Sequence, residues 1–164
     1  VFVVNSFSKT FAMTGWRIGY IISTNLEAMG QVTKMQYYIT ACSNDAMQYA
    51  VLAAMEEAAD YPEIIAKEFK ERCDIIVDRL NDMPGVECHK PKGAIYVFPK
   101  VHVDGMTSEE IALELLKDGV LCSPGSAFGP SGEGHLRFAY TISKEDISLG
   151  MDKVESTLKR LNGL

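Results

Sequence analysis

The sequence has little cysteine, and no arrangement of it that would bind a metal or staple a small fold. The four cysteines are widely separated and form no C-x-x-C pair; they are Cys42, Cys73, Cys88 and Cys122. This spacing argues against a zinc site and against a disulfide framework, and a reducing cytoplasm is the compartment that fits best. The three histidines, His89, His102 and His135, share no metal-ligand spacing, so we expect surface or strand positions for them and no metal.

An excess of positive charge and long apolar runs are also missing. Lysine and arginine number 16 against 22 aspartates and glutamates, which gives a net charge of -6, and no basic cluster stands out. This balance argues against nucleic acid or an anionic membrane surface as a partner. No apolar stretch approaches a membrane span and no signal peptide is expected. The 164 residues, 47% of them hydrophobic, suffice for one ordinary domain or two small layered units.

The most informative feature that is present is a lysine accompanied by two hydroxyls and an arginine. Lys9 ends the run Ser6-Phe7-Ser8-Lys9, and Arg17 follows eight residues later. A lysine amine can form an imine with a carbonyl compound, and hydroxyls beside an arginine suit a phosphate group. The grouping therefore suggests a phosphorylated carbonyl cofactor, for which pyridoxal 5'-phosphate is the obvious candidate.

The residues around Lys9 predict two strands and a loop. The apolar run 1–4 is typical of a strand buried on both faces of a parallel sheet, residues 5–14 then form the loop that leaves it, and residues 18–22 form a second buried strand. Arg17 lies where the loop enters that second strand. Its charge requires a partner there, and a dianionic phosphate would satisfy it.

This segment resembles the cofactor-lysine signature of the class I and II, or fold type I, aminotransferases. The resemblance is carried by Ser6-Phe7-Ser8-Lys9 and then by Ala12, Gly15, Arg17, Ile18 and Gly19. It implies that Lys9 is the Schiff-base lysine, that Ser6, Ser8 and Arg17 hold the cofactor phosphate, and that the reaction transfers an amino group. It also implies an α/β fold in which a large domain with a mixed, mostly parallel sheet precedes a small domain.

Two competing motifs in the sequence are weaker. Ser6-Phe7-Ser8-Lys9 also satisfies the S-x-x-K pattern of serine β-lactamases, but neither the S-D-N nor the K-T-G element of those enzymes is present. The glycine-rich segment 125–134 lacks the G-x-G-x-x-G register and opens no helix, so we interpret it as a turn-rich loop rather than a dinucleotide site.

Helical periodicity and capping signals divide the rest of the chain. Two helices are predicted near 26–38 and 44–58, and a long helix begins at Asp60-Tyr61-Pro62-Glu63 and stops at Pro84-Gly85. Beyond it we expect strands at 86–89, 94–98, 120–122 and 135–140, a helix opened by a capping box at Thr107, and a last helix from Ser143. The predicted organisation is the end of a large cofactor-binding domain at 1–60, a linking helix at 61–84 and a small α/β domain at 85–164.

Arg137 is the second candidate site residue. Strand alternation places it with His135 and Ala139, opposite the apolar face of Leu136 and Phe138. The segment 119–129 and the strand His135-Leu136-Arg137 are similar to the small domain of the same aminotransferases, and this implies that Arg137 binds the α-carboxylate of the substrate. A bidentate guanidinium pair would orient an amino acid above the cofactor.

The resemblance has further implications that the residues alone do not supply. It implies amino acid and 2-oxo acid substrates, a homodimer, and remaining cofactor-site residues that precede Val1, so we expect a fragment. Ser43 and Gln48 lie where family members approach the cofactor of the other subunit, although a helix N-cap is the simpler role for Ser43. Two hypotheses stay open: part of an aminotransferase acting on aspartate, aromatic amino acids or alanine, or a folded module without catalysis.

Overall fold

The computed structural model describes all 164 residues and divides them into two compact units, Val1–Ile65 and Ala66–Leu164. The chain has an α/β fold, as predicted. No helix combines the length and apolar character that crossing a membrane requires. The division falls inside a long helix, so that the helix predicted to link two domains begins in the first unit and continues in the second.

The first unit is a strand pair followed by helices. Its elements are β1 (Val3–Ser6), α1 (Phe7–Thr10), β2 (Gly19–Ile22), α2 (Leu26–Thr40), α3 (Asp45–Glu57) and the start of α4 (Tyr61–Asn81). β1 and β2 are antiparallel, with Val3 opposite Ile22 and Ser6 opposite Gly19. The end of β1 therefore lies beside the beginning of β2.

The prediction of strands buried on both faces of a parallel sheet is not met within this chain. β1 and β2 form an antiparallel sheet of two strands, and the residues of both are exposed. An apolar run indicates that a strand is suited to being covered, but it does not say which segment covers it. The predicted loop 5–14 is also wrong in part, because β1 continues to Ser6 and residues 7–10 form α1. Ser6 is the N-cap of α1, and its side chain accepts a hydrogen bond from the Ser8 N–H.

The helices α2 and α3 confirm the periodicity prediction but not the expected cap. Asn44, rather than Ser43, is the N-cap of α3, and its side-chain oxygen accepts from the Met47 N–H at 3.3 Å. Ser43 lies one residue too early for that role, and its carbonyl oxygen instead accepts from the Gln48 side chain. On the predicted inner face of α3, Val51 is buried while Met55 is exposed.

The second unit packs three helices against short antiparallel strands. Besides the rest of α4 it contains β3 (Val86–Glu87), β4 (Tyr96–Val97), β5 (Lys100–Val101), α5 (Ser108–Lys117), β6 (Ser123–Pro124), β7 (Leu136–Ala139) and α6 (Lys144–Leu161). β7 is the central strand of a sheet in the order β4-β7-β6, and β3 pairs with β5. β7 therefore has a neighbouring strand on each side.

A single apolar core lies in this second unit. It is formed by α4, α5, α6 and the inner face of β7, and its most buried members include Leu80, Leu115, Leu136, Ile147 and Val154. Burying one such side chain contributes about 1.5–3 kcal/mol, so this cluster is what holds the unit together. The alternation predicted for residues 135–140 is confirmed, because Leu136 and Phe138 are buried and Arg137 between them is not.

Helix caps in the second unit agree with the sequence, while one strand does not. Thr107 forms the expected capping box with Glu110, and Ser143 caps α6 by accepting from the Asp146 N–H. The strand predicted at 120–122 lies instead at Ser123–Pro124. The reason is that Gly119 turns the chain in the left-handed region, at a φ of 84°, and the Val120 N–H still bonds back to α5.

Candidate active site

Lys9 lies in the last turn of α1 with its side chain exposed. Its amine makes no hydrogen bond and no ion pair, whereas other lysines, such as Lys144 and Lys159, contact carboxylates. A lysine amine that is not engaged by a carboxylate is free to react with a carbonyl group or to carry a proton. The amine of Lys9 is therefore accessible to a ligand from solvent.

Ser6 and Ser8 lie next to each other at the junction of β1 and α1. The Ser6 hydroxyl contacts the Ser8 hydroxyl at 2.9 Å and the Ile18 carbonyl oxygen at 3.3 Å, and it accepts from the Ser8 N–H at 3.1 Å. When Ser6 gives its single hydroxyl hydrogen to Ser8, the Ser8 hydroxyl has its own hydrogen left to donate. The pair thus offers a hydroxyl donor directly before Lys9.

Arg17 is placed beside these serines by the pairing of the two strands. Ser6 is opposite Gly19, and the Phe7 N–H donates to the Ile18 carbonyl oxygen at 3.3 Å, so Arg17 lies directly before the point where β2 meets the end of β1. A side chain at Gly19 would leave no room for this approach, because its Cβ would lie 2.6 Å from the Asn5 carbonyl oxygen. The structure thus gathers Ser6, Ser8, Lys9 and Arg17 at one end of the strand pair.

The backbone of Arg17 is itself unusual. Its φ is 56° and its ψ is 44°, in the left-handed region. That conformation costs a residue other than glycine about 1 kcal/mol or more, and such residues cluster at functional sites. The guanidinium donates from Nη1 to the Thr14 carbonyl oxygen at 3.0 Å and contacts no carboxylate. Most of its donors and its whole charge are left for another partner.

The donor set around Lys9 fits a dianionic phosphate. It contains a free hydroxyl hydrogen on Ser8, an arginine without a counter-ion and an exposed lysine amine, and no carboxylate forms an ion pair with either cation. Charge-assisted hydrogen bonds from arginine to phosphate are among the stronger polar contacts in proteins. The strand register brings the backbones of the predicted phosphate-binding residues to the same end of the β1–β2 pair, and their chemistry is compatible with the cofactor suggested by the sequence.

Arg137 belongs to the second unit and lies on the central strand β7. Its Nη2 donates to the Ser123 hydroxyl at 3.2 Å, and its Cζ lies 4.5 Å from the ring centroids of both Tyr96 and Phe128. The side chain is half-buried, yet it forms no ion pair. A partly desolvated guanidinium with only neutral neighbours is a binding group for an anion, because its charge is not compensated within the chain.

Sequence reasoning missed the three residues that contact Arg137. Ser123 would have emerged had the strand been placed at 123–124, since it is directly opposite Arg137 in the register. Tyr96 was predicted to lie on a strand, but its neighbour depends on the pairing of Tyr96 with Ala139. Phe128 lies in a 3₁₀ turn, which has no hydrophobic periodicity from which its position could be predicted. The signal that could have drawn attention to it is an aromatic residue inside a glycine-rich loop.

The glycine-rich loop is a pair of 3₁₀ turns, as the turn-rich interpretation predicts, and it carries Phe128. Gly125 and Gly132 lie in direct backbone contact, and the Gly125 N–H donates to the His135 carbonyl oxygen at 2.7 Å. Glu133 ties the loop to α5, since its carboxylate accepts from the Ser108 N–H at 2.6 Å and from the Ser108 hydroxyl at 3.1 Å. The loop is therefore fixed at both ends.

Replacing Gly125 by alanine should destabilise the protein, because the new Cβ would lie 2.7 Å from the His135 carbonyl oxygen and still closer to that of Gly132. Both obstacles are backbone atoms that cannot rotate away, so we expect the free energy of unfolding to fall by about 2–3 kcal/mol in urea titrations. Gly150→Ala is the matched control. Gly150 lies within α6 with open space around its Cα, and alanine there should add about 0.5–1 kcal/mol. Equal effects of the two substitutions would contradict this description of the loop.

Glu133 gives the stability of this loop a pH dependence. Hydrogen bonds from Ser108 and Gly134 hold the pKa of Glu133 below its ordinary value of 4.5. Its contribution is therefore present above that value and is lost as the pH falls through the lower pKa of the folded protein. We expect Glu133→Gln to be less stable than the wild type at about pH 6, and the difference to shrink towards about pH 3.

The matched control for Glu133 is Glu109→Gln. Glu109 is exposed on the first turn of α5 and makes no hydrogen bond or ion pair. Urea titrations of the wild type and both variants at the two pH values measure the effect. A difference between wild type and Glu133→Gln that does not change with pH would show that the carboxylate charge has no part in holding the loop.

The cysteines offer no alternative nucleophile in the second unit. All four are free thiols, and burial raises the pKa of Cys88 and of Cys122 to about 11. A thiol with so high a pKa is almost wholly protonated at neutral pH and is unreactive. No group of three or more histidine, cysteine, aspartate or glutamate side chains is arranged to hold a metal ion.

Comparison with known proteins gives a consistent result for both units. The family model for class I and II aminotransferases matches residues 1–154. An aspartate aminotransferase of Pyrococcus horikoshii is 41% identical over 160 residues, which cover 96% of this chain and 41% of that protein. The aromatic-amino-acid aminotransferase 2 of Thermococcus litoralis is 36% identical over 159 residues, which cover 95% of this chain and 40% of the relative.

Solved structures give the same picture. The crystal structure of an aromatic aminotransferase from Pyrococcus horikoshii superposes with a TM-score of 0.89 and 38% identity, over 97% of this chain and 43% of that one. The chain thus spans about two fifths of the length of the relatives that it matches. With the family model matching nearly its whole length, this chain belongs to the family of class I and II aminotransferases.

Proposed function

We propose that this chain is part of a longer pyridoxal-phosphate-dependent aminotransferase, called the parent enzyme below, which transfers an amino group from an amino acid to a 2-oxo acid. The observation that carries the proposal is the gathering of Ser8, Lys9 and Arg17 at one end of the β1–β2 pair, with neither cation paired to a carboxylate. Membership of the aminotransferase family supports the same reaction.

Ser6, Ser8 and Arg17 would hold the phosphate of the cofactor. The guanidinium supplies a fork of donors, and the Ser8 hydroxyl supplies a further hydrogen bond from the adjacent turn. The close approach of the two strands at Gly19 places the backbone of Arg17 near the end of β1, where Ser6 and Ser8 lie. These residues fix the position of the bound group relative to Lys9, which follows Ser8 directly.

Lys9 would hold the cofactor covalently through its amine and then act on the substrate. When bound, pyridoxal phosphate supplies a carbonyl carbon that takes up the amino group and a ring that accepts electrons from the Cα–H bond. With its amine free, Nζ of Lys9 would be the base that takes the α-proton of the substrate and delivers it to the cofactor carbon. The exposed amine of Lys9, which has no carboxylate partner, is accessible for both roles.

Arg137 would bind the α-carboxylate of the amino acid. Its half-buried guanidinium has one hydrogen bond, to Ser123, and several free donors. A bidentate pair with a carboxylate would set the orientation of the substrate and exclude amines that lack the carboxylate. Relatives act on different substrates, as their names show, so aspartate, aromatic amino acids and alanine are the donors to test first.

A second candidate function is a folded module without catalysis. It is favoured by the unequal packing of the two units, because the core lies in residues 73–158 while the first unit exposes apolar residues such as Val4, Ile22 and Tyr38. In the parent enzyme the same exposed surface would be covered by the rest of the chain or by a second subunit. We also propose that the parent enzyme is a homodimer and that it is cytoplasmic. The two candidates differ in what they predict for turnover.

The experiment is an assay of the parent enzyme with pyridoxal phosphate, 2-oxoglutarate as acceptor and a panel of amino acid donors. We expect glutamate to form with at least one of aspartate, phenylalanine and alanine. The matched control supplies the corresponding amine without its α-carboxylate, which Arg137 could not bind. No glutamate from any donor, in a sample that binds the cofactor, would favour the module over the enzyme.

A further inference from the structure

We propose that Tyr96 and Phe128 are positioning residues that clamp the guanidinium of Arg137 between their rings and so present its free edge to the substrate carboxylate. The proposal rests on the proposed function, in which Arg137 binds that carboxylate. The Cζ atom lies 4.5 Å from each ring centroid, within the range of a cation–π interaction. Tyr96 and Phe128 form no ring–ring contact with each other, although the same Cζ lies 4.5 Å from both. We call Tyr96 and Phe128 the Arg137 clamp.

The sheet itself creates one side of the clamp. Tyr96 on β4 is paired with Ala139, which makes Arg137 its diagonal neighbour on the same face of β7. Diagonal neighbours on antiparallel strands lie about 7–8 Å apart, within reach of an aromatic and a long side chain. On the other side of β7, Ser123 is directly opposite Arg137 and accepts from its Nη2. β7 must be central for both contacts to exist.

The glycine-rich loop supplies the other side. Phe128 closes the first 3₁₀ turn and is itself packed edge-to-face on Phe98 at 6.0 Å, while Phe98 stacks on His135 at 5.0 Å. Phe128 is 53% exposed, so the core does not explain its position. Its ring is held by Phe98 and by the fixed loop, and one of its contacts is the cation of Arg137.

The clamp would fix the plane of the Arg137 guanidinium and leave the N–H donors on its edge free. In the proposed clamp the rings cover the faces of the guanidinium and Ser123 takes one donor of Nη2, which leaves a carboxylate the approach in the plane, where bidentate pairing is possible. An unrestrained arginine loses rotamer entropy when a ligand fixes it. The clamp removes much of that loss before the substrate arrives. Because the rings are neutral, it does so without cancelling the charge.

The first test uses the 164-residue chain itself and does not depend on activity. The Nε–Hε resonance of Arg137, assigned by its absence in Arg137→Leu, should lie upfield because aromatic rings shield protons over their faces. Tyr96→Phe and Phe128→Tyr keep a ring and should keep the shift. Tyr96→Leu and Phe128→Leu should move the resonance towards that of an unstructured arginine, while the backbone spectrum shows that the fold persists.

The second test uses the parent enzyme and separates binding from chemistry. Each leucine variant should raise KM for the amino acid by about tenfold with a smaller change in kcat, while the cofactor absorbance is retained and the ring-keeping variants stay within about threefold of wild type. In the background of Arg137→Leu, adding Tyr96→Leu should change KM little further, because the clamp acts only through the arginine. If Tyr96 had only a structural role, Tyr96→Leu would change KM by the same factor whether or not Arg137 is present.

The two hypotheses fail in different ways. If Arg137→Leu lowers kcat/KM strongly but Tyr96→Leu and Phe128→Leu do not change KM, the clamp is refuted and the carboxylate role of Arg137 stands. If Arg137→Leu itself leaves kcat/KM unchanged, the proposed function of Arg137 fails and the clamp fails with it. An Arg137 resonance that does not respond to either leucine variant also overturns the clamp, whatever the kinetics.

Discussion

Replacing Lys9 by alanine is expected to reduce transamination by the parent enzyme by at least about 10⁴-fold. Proton transfer by a positioned base alone contributes about 10²–10⁴-fold, and Lys9 is proposed to supply both that base and the covalent attachment of the cofactor. The amine is exposed and engaged by no carboxylate, so its removal breaks no contact within the fold. The loss should therefore appear in turnover and not in the free energy of unfolding.

Two further variants make the Lys9 prediction specific. Lys9→Arg keeps the positive charge but cannot act as an amine nucleophile, so it should be as inactive as Lys9→Ala. Lys92→Ala is the matched control, since Lys92 is also exposed and unpaired but lies in a loop of the second unit, and it should retain activity. Steady-state rates with a saturating donor measure all three. Normal turnover by Lys9→Ala would refute the assignment of Lys9.

Replacing Arg137 by leucine is expected to lower kcat/KM for amino acids by about 10²–10³-fold while the cofactor stays bound. Truncating one partner of a hydrogen-bonded charge pair that is largely removed from water costs about 2–5 kcal/mol, and each 1.4 kcal/mol corresponds to tenfold. The guanidinium has no counter-ion of its own, so the substrate carboxylate would be the partner that is lost. Retention of the cofactor follows because Arg137 is not among the proposed phosphate ligands.

The control for Arg137 is a change in the substrate instead of in the protein. An amine that lacks the α-carboxylate should be a poor substrate of the wild type, and Arg137→Leu should penalise it no further. The ratio of kcat/KM for amino acid over amine should thus collapse in the variant. If the variant loses activity equally on both compounds, the role of Arg137 is structural and the carboxylate assignment is wrong.

Local signals were sufficient to single out the candidate site residues. Lys9 and Arg17 emerged because a lysine, two hydroxyls and an arginine follow one another within twelve residues, and the resemblance to the aminotransferase signature rests on that same stretch. Arg137 emerged from strand alternation, and the structure confirms the apolar face beside it. Capping residues such as Thr107 and Ser143 were also predictable, because a cap is decided by three or four consecutive residues.

The contacts around these residues could not be predicted, because they depend on pairing between distant segments. β4 and β6 are two residues long, too short to carry a period, yet their register with β7 places Tyr96 and Ser123 beside Arg137. The antiparallel pairing of β1 with β2 was missed for a related reason, since an apolar run does not state its partner. The left-handed backbone of Arg17 could not be predicted either, because that conformation favours glycine and gives no reason to expect it at an arginine.

The central claim is that Lys9 is the residue that holds pyridoxal phosphate, and its most direct measurement is chemical trapping. The parent enzyme is incubated with pyridoxal phosphate, reduced with borohydride, digested, and mapped by mass spectrometry for the phosphopyridoxyl group. We predict that the label lies on the peptide that contains Lys9 and is absent from that peptide in Lys9→Arg. A label confined to another lysine, or no label on an enzyme that transaminates, would contradict the assignment.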